Sequence, residues 1–129
     1  METIVADTNV LVRFLIEENL AQTRRACELF RTHHVNLPET VFLETEWVLR
    51  FIYEVPRQEI VLGLRSLFKL RNVHVDRNAM MLNVINAYES GFDFADALHH
   101  GSAEGLEIKT FDRKFVNRAK KNGWKVSLV

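Results

Sequence analysis

Residues 1–10 read METIVADTNV, and the order of their parts decides the fold. Residues 3–6 are β-branched and apolar, the composition of a short buried strand in a parallel sheet. Asp7 follows at once. A carboxylate at the end of a buried strand is costly unless its charge is compensated, so Asp7 caps a helix, pairs with a cation or holds a metal ion. A helical pattern then runs over residues 8–17. Strand, acid and helix in succession are the opening of an α/β chain.

The same succession continues downstream. Asn19 is a suitable N-cap for a helix over residues 20–31, and residues 35–37 are a short extended piece. Pro38 and Pro56 sit where a first helical turn tolerates proline and open two helices, PETVFLETEWVLRFIYE and PRQEIVLGLRSLFKLR. A brief strand follows at residues 73–75. Asp76 is expected to cap DRNAMMLNVINAYES, which Gly91 ends, and Asp93 to cap FADALHHGSAE, which Gly105 ends. Residues 106–111 are a strand, Asp112 opens the helix DRKFVNRAKKNG, and residues 125–128 make the last strand. The expectation is an α/β fold with a mostly parallel central sheet of four to five strands flanked by helices. No repeat, linker or low-complexity tract interrupts it.

With 129 residues the chain is expected to form a single domain spanning 1–129. Five glycines and two prolines are too few for an all-β chain full of turns. The single cysteine, Cys27, excludes an internal disulfide and, in its helical context, reads as a small core residue in a reducing compartment. No apolar run approaches the roughly 18 residues of a membrane span, and Glu2 and Asp7 stand where a signal peptide carries positive charge. A cytoplasmic location with no membrane partner is the expectation.

Four acids carry the chemistry. In open parallel sheets, function gathers at the carboxyl ends of strands. Asp7 and Asp112 both occupy such ends, although Asp is also a preferred N-cap. Glu44 lies on a helix where, at about 100° per residue, Val41, Val48 and Ile52 form an apolar stripe, and Glu44 falls on its flank while Glu39, Glu46 and Arg50 lie opposite. A glutamate turned toward the body needs a buried Arg, a structural hydrogen bond or a metal. Asp96 shares a helix face with Asp93 and His100, away from Phe94, Leu98 and Gly101. Carboxylates from two strand ends and two helices can converge above one sheet edge, where only a hard cation would relieve their repulsion. An all-oxygen set suits Mg²⁺ or Mn²⁺ and not zinc, and an acidic Mg²⁺ site suits phosphodiester chemistry. His33 and His34 read as exposed, and no glycine-rich phosphate loop is present.

At these residues the chain resembles the PIN-domain ribonucleases of the VapC type, the toxin halves of toxin–antitoxin pairs. The matching pieces are ADTNVLV, the glutamate of TVFLETEWVL, DFADALHHGSAEG and IKTFDRKF, in the family's order over nearly the whole chain. The resemblance implies a PIN-like (Rossmann-like) three-layer sandwich and an acidic site of Asp7, Glu44, Asp96 and Asp112 binding Mg²⁺ or Mn²⁺. Thr8, Asn9 and Thr110 would orient those acids by hydrogen bonds. It also implies endonucleolytic cleavage of RNA, including transfer or ribosomal RNA, leaving a 5′-phosphate and a 3′-hydroxyl. Its implied partners are a small cognate antitoxin and a second copy of the chain in a dimer or a toxin–antitoxin hetero-oligomer. Asp93 fits an acid that often precedes the family's aspartate, and fits a helix cap equally well. HHGS departs from the usual apolar run and leaves open whether His100 touches the site.

Residues 109–125 hold seven of the 17 Lys and Arg against one acid, Asp112. Arg113, Lys114, Arg118 and Lys121 in that strip are candidates for meeting an RNA backbone, the alternative being a solvated helix face. The helix pair of residues 38–71 carries Phe42, Trp47, Phe51, Tyr53 and Phe68, expected to be mostly core, with any remainder an interface. Two other functions fit parts of the pattern. A non-catalytic RNA- or protein-binding module would keep the fold without needing four acids. An aspartyl-phosphate phosphatase wants a second Asp two positions after Asp7, where Asn9 stands.

Overall fold

Every expected element forms, in the expected order. The computed structural model describes residues 1–129 and contains five strands and seven helices: β1 (Thr3–Val5), α1 (Thr8–Leu15), α2 (Leu20–Thr32), β2 (His34–Asn36), α3 (Glu39–Phe51), α4 (Arg57–Leu67), β3 (Val73–His74), α5 (Asn78–Ser90), α6 (Phe94–Ser102), β4 (Ile108–Thr110), α7 (Arg113–Lys121) and β5 (Val126–Leu128). The fold class is α/β with every strand pairing parallel. The strands form two sheets, β1-β2-β3 and β4-β5, where one continuous sheet was expected. Strands of two or three residues carry too little pattern to say which edges meet.

The chain divides into two compact units, Met1–Asn78 and Ala79–Val129. In the first, β2 is central, pairing Ile4 with Val35 on one side and Val35 with Val73 on the other. β1 is therefore an edge strand of its sheet, and Val5 is 63% exposed instead of buried, with Ala6 alone of residues 3–6 in the core. Helices α1 and α2 join through the stacked rings of Phe14 and Phe30, 4.2 Å apart. The Thr23 hydroxyl donates to the Arg13 carbonyl at 2.8 Å and fixes the start of α2 against α1. Asn19 caps α2 as expected, accepting from the Gln22 amide. Cys27 is exposed and its neighbour Ala26 takes the core position, which corrects the reading of Cys27 as buried.

Helix α3 turns a different face inward from the one its sequence indicates. Val41, Phe42, Thr45, Glu46 and Leu49 are buried, whereas Glu44 is exposed and Ile52, just past the helix, is 60% exposed. The inward stripe is centred on Phe42 and Leu49, about two helical turns apart, and not on Val48 and Ile52. Glu46 is tolerated there because the Arg50 guanidinium, one turn on, reaches its two oxygens at 2.6 and 3.3 Å. Trp47 and Phe51 are about half exposed, so less of the aromatic content of this helix pair is core than expected.

Helix α5 starts later than expected. Arg77 adopts a left-handed backbone with φ 52°, and the Asp76 carboxylate faces His74 Nε2 at 2.9 Å, so Asp76 does not open the helix. Helix α6 crosses α5 closely at Gly101, where a Cβ would stand 2.6 Å from Met80 Sδ. Phe92, Trp124 and His100 form a continuous stack, with centroids 4.1 and 3.6 Å apart. β4 and β5 pair from Ile108–Val126 to Thr110–Leu128, and α7 lays Phe115, Val116 and Ala119 into the core.

Candidate active site

The step from strand to helix places the first acid. β1 ends at Val5, Asp7 adopts an extended backbone, and its Oδ1 accepts the Val10 amide at 3.1 Å. Capping is therefore a real role of Asp7. It engages one carboxylate oxygen only, and Oδ2 has no partner. Thr8, the first residue of α1, donates its hydroxyl to Glu44 Oε2 at 3.2 Å. Glu44 is exposed on α3, so what restrains it is this bond and not burial. Asn9 turns elsewhere, into a groove between α1 and α2.

In the second unit the acids sit at two helix N-termini. Asp93 caps α6, accepting the Asp96 amide at 3.4 Å, and Asp96 lies in that helix's first turn. Asp112 caps α7 with Oδ1, which accepts from the Lys114 and Phe115 amides at 2.9 and 3.2 Å, again leaving Oδ2 without a partner. The Thr110 hydroxyl oxygen accepts the Asp112 amide at 3.0 Å and holds that turn. Helix N-termini favour negative charge, which is one reason aspartates gather there.

The Asp96 carboxyl lies under the influence of its neighbours. Burial first, and then the negative charges of Asp93 and Asp112, hold its carboxyl above the ordinary aspartate range, with His99 opposing. Two aspartates thus bear electrostatically on a third. His99 is the histidine in that field and was not singled out from sequence. His100 is spent on its stack with Trp124, and burial pushes its ring below the usual histidine value.

The donors are all oxygen, the set that suits a hard divalent cation. No three His, Cys, Asp or Glu side chains gather closely enough to enclose a metal ion. What each unit brings together is smaller: Asp7 with the Thr8–Glu44 contact in the first, and Asp96 in the field of Asp93 and Asp112 in the second. Pairs of carboxylates fit Mg²⁺, which keeps several waters and is usually bound through one or two carboxylates plus substrate phosphate.

Directly after Asp112 the outer face of α7 is cationic. Arg113, Lys114, Arg118, Lys120 and Lys121 are all exposed, and none of them makes an ion pair. Lys109 differs, with Glu107 3.6 Å away. Phe111, between Thr110 and Asp112, is 83% exposed, an aromatic ring that the sequence reading passed over. Its signal was available as an apolar residue at a strand end between polar neighbours.

The PIN domain family model matches residues 4–121, across both units. No curated protein matches the sequence. No helix is long and apolar enough to cross a membrane.

Proposed function

Since this chain belongs to the PIN domain family, whose members are typically nucleases, we propose that it is an endoribonuclease dependent on Mg²⁺ or Mn²⁺, with Asp7, Glu44, Asp96 and Asp112 carrying the reaction. The reading stands on the gathering of aspartates at two helix N-termini, Asp93 and Asp96 at the start of α6 and Asp112 at the start of α7, close enough that Asp93 and Asp112 raise the Asp96 carboxyl. Carboxylates that repel one another in the metal-free chain are what a bound cation would relieve.

A divalent cation bound there supplies a water of lowered pKa and offsets charge on the phosphate. The chain's own residues supply position. Capping fixes one oxygen of Asp7 and one of Asp112 and turns the other outward. Thr8 holds Glu44, and Thr110 holds the backbone of Asp112. The cationic face of α7 attracts the phosphodiester backbone, and Phe111 offers a flat apolar surface to an unpaired base. Attack of water on phosphorus breaks the bond to the 3′-oxygen, which leaves with a proton, and the water oxygen stays on the new 5′-phosphate.

We further read the protein as the toxin of a toxin–antitoxin pair. Trp47, Phe51, Ile52 and Leu62 are each more than half exposed, and they support a surface for an antitoxin or a second copy. A non-catalytic RNA-binding module is the second reading, favoured by the absence of any three-residue metal cage. End mapping of cleaved single-stranded RNA separates the two. The nuclease reading expects 5′-phosphate and 3′-hydroxyl ends. Cyclic phosphate ends, or intact RNA that is bound but never cut, would count against it.

A further inference from the structure

The groove between α1 and α2 has a volume of about 580 Å³ and is lined by Asn9, Val10, Arg13, Gln22, Arg25, Ala26 and Leu29. That is the size range of small-ligand pockets. Its chemistry is mixed in a specific way, with two guanidinium groups, two side-chain amides and an apolar wall.

Arg13 is fixed in place. Its Nε donates to Gln22 Oε1 at 2.5 Å, its Nη1 donates to the Tyr53 hydroxyl oxygen at 2.8 Å, and Glu18 lies 3.7 Å away. Arg25, across the groove on α2, makes no ion pair or hydrogen bond. Gln22 uses its carbonyl oxygen on Arg13, which leaves its NH₂ group to donate, and the Asn9 amide has no partner. Asn9 stands two residues after Asp7. The groove runs from Asn9 to Arg13, about 6 Å along the helix axis at 1.5 Å per residue, close to the reach of one nucleotide.

We propose that this groove is a nucleotide subsite, in which Arg25 takes a phosphate, Asn9 and Gln22 hydrogen-bond a base edge, and Val10, Ala26 and Leu29 pack against the base. An unpaired guanidinium, unspent amides and an apolar wall match the three parts of a nucleotide, whereas a carboxylate-rich peptide, whose oxygens could accept from the amides, would leave the wall unused. The proposal rests on the nuclease reading for its place in function, since it makes the groove the seat of a nucleotide flanking the cut. Arg25 and Asn9 are positioning residues and not catalytic ones.

The test is a titration of the isotope-labelled, full-length protein with adenosine 5′-monophosphate, followed at the side-chain amides of Asn9 and Gln22, beside RNA-cleavage kinetics with Mg²⁺. Saturable shifts at both amides are expected, with affinity falling about tenfold or more in Arg25→Glu and in Asn9→Ala, and unchanged in Arg24→Glu, which lies outside the groove. In cleavage, Arg25→Glu should raise KM and leave kcat within about twofold. Binding of inorganic phosphate as tightly as the nucleotide would overturn the base-reading part, and tighter binding of a polyglutamate peptide would overturn the subsite in favour of a protein ligand. A parent that cuts RNA while the amides never shift overturns the subsite and leaves the nuclease reading standing. A parent that never cuts RNA but shows the shifts supports the groove and overturns the nuclease reading.

Discussion

The Thr8 hydroxyl donates to Glu44 Oε2 at 3.2 Å, linking positions 36 residues apart in the chain. One end of this bond is the first residue of α1, immediately after Asp7, and the other is an exposed glutamate that little else restrains. Thr8→Val keeps the shape and removes the donor. Cleavage should fall about tenfold, the size of an orientation effect of about 1.4 kcal/mol, with stability reduced by no more than about 1 kcal/mol. Thr8→Ser should restore most of the rate. Steady-state kinetics and thermal melting of the three proteins check this, and an unaltered rate in Thr8→Val would remove Thr8 from any positioning role.

Asp7 carries two roles that one substitution separates. Its Oδ1 caps α1, and an Asn carbonyl oxygen can accept the same Val10 amide. Asp7→Asn should therefore change stability by less than about 0.5 kcal/mol, whereas Asp7→Ala costs about 1 kcal/mol. Cleavage should nevertheless collapse in both. A metal that binds only the folded protein raises stability according to its affinity, so the Mg²⁺-induced rise in melting temperature should also shrink in Asp7→Asn.

Asp96 sets a pH dependence whose sign follows from its environment. Burial and the charges of Asp93 and Asp112 raise its carboxyl above the ordinary range in the folded chain. The folded state then holds the proton more tightly than the unfolded chain, so the stabilising contribution is present below the unfolded value and is lost as pH rises through the folded one. In chelator, Asp96→Asn should melt higher than the parent at neutral pH. The gap should close as pH falls toward the ordinary aspartate value of about 4. A gap that widens in acid would contradict the account of this cluster.

The face of α7 makes a prediction about salt. Lys114 and Lys121 are exposed and make no ion pair. Reversing both to Glu should weaken binding of single-stranded RNA and reduce the steepness of its dependence on log salt by about 1 to 1.5, the contribution of two phosphate contacts. The melting temperature should barely move. Binding measured across a salt series decides it, and an unchanged slope would make the strip a solvated face.

Capping was legible because it is local. Asn19, Asp93 and Asp112 each accept an amide two or three residues on, as their place before a helical pattern indicates. Asp76 failed the same logic because Arg77 takes a left-handed backbone, which nothing in the side-chain pattern signals. The inward face of α3 was misjudged by giving weight to Val48 and Ile52, although Ile52 lies past the helix end and Phe42 with Leu49 marks the true stripe. Glu46, which the pattern sets opposite the apolar stripe, is buried for the same reason, with the Arg50 guanidinium at its carboxylate. Long-range contacts left no local trace: the His100–Trp124 stack joins residues 24 positions apart and takes His100 out of the acidic cluster. The identities of the four acids could be proposed from strand ends and resemblance, but their individual environments, above all that of Asp96, follow from which neighbours the fold supplies.

The most direct test of the central claim is cleavage of a labelled single-stranded RNA by the purified protein after exhaustive chelation, followed by addition of Mg²⁺ or Mn²⁺, with Asp96→Asn carried in parallel. The expected result is no cleavage in EDTA, full recovery when either metal is restored, and little or none at any metal concentration in Asp96→Asn. Undiminished cleavage in EDTA, or parental rates in Asp96→Asn, would contradict it.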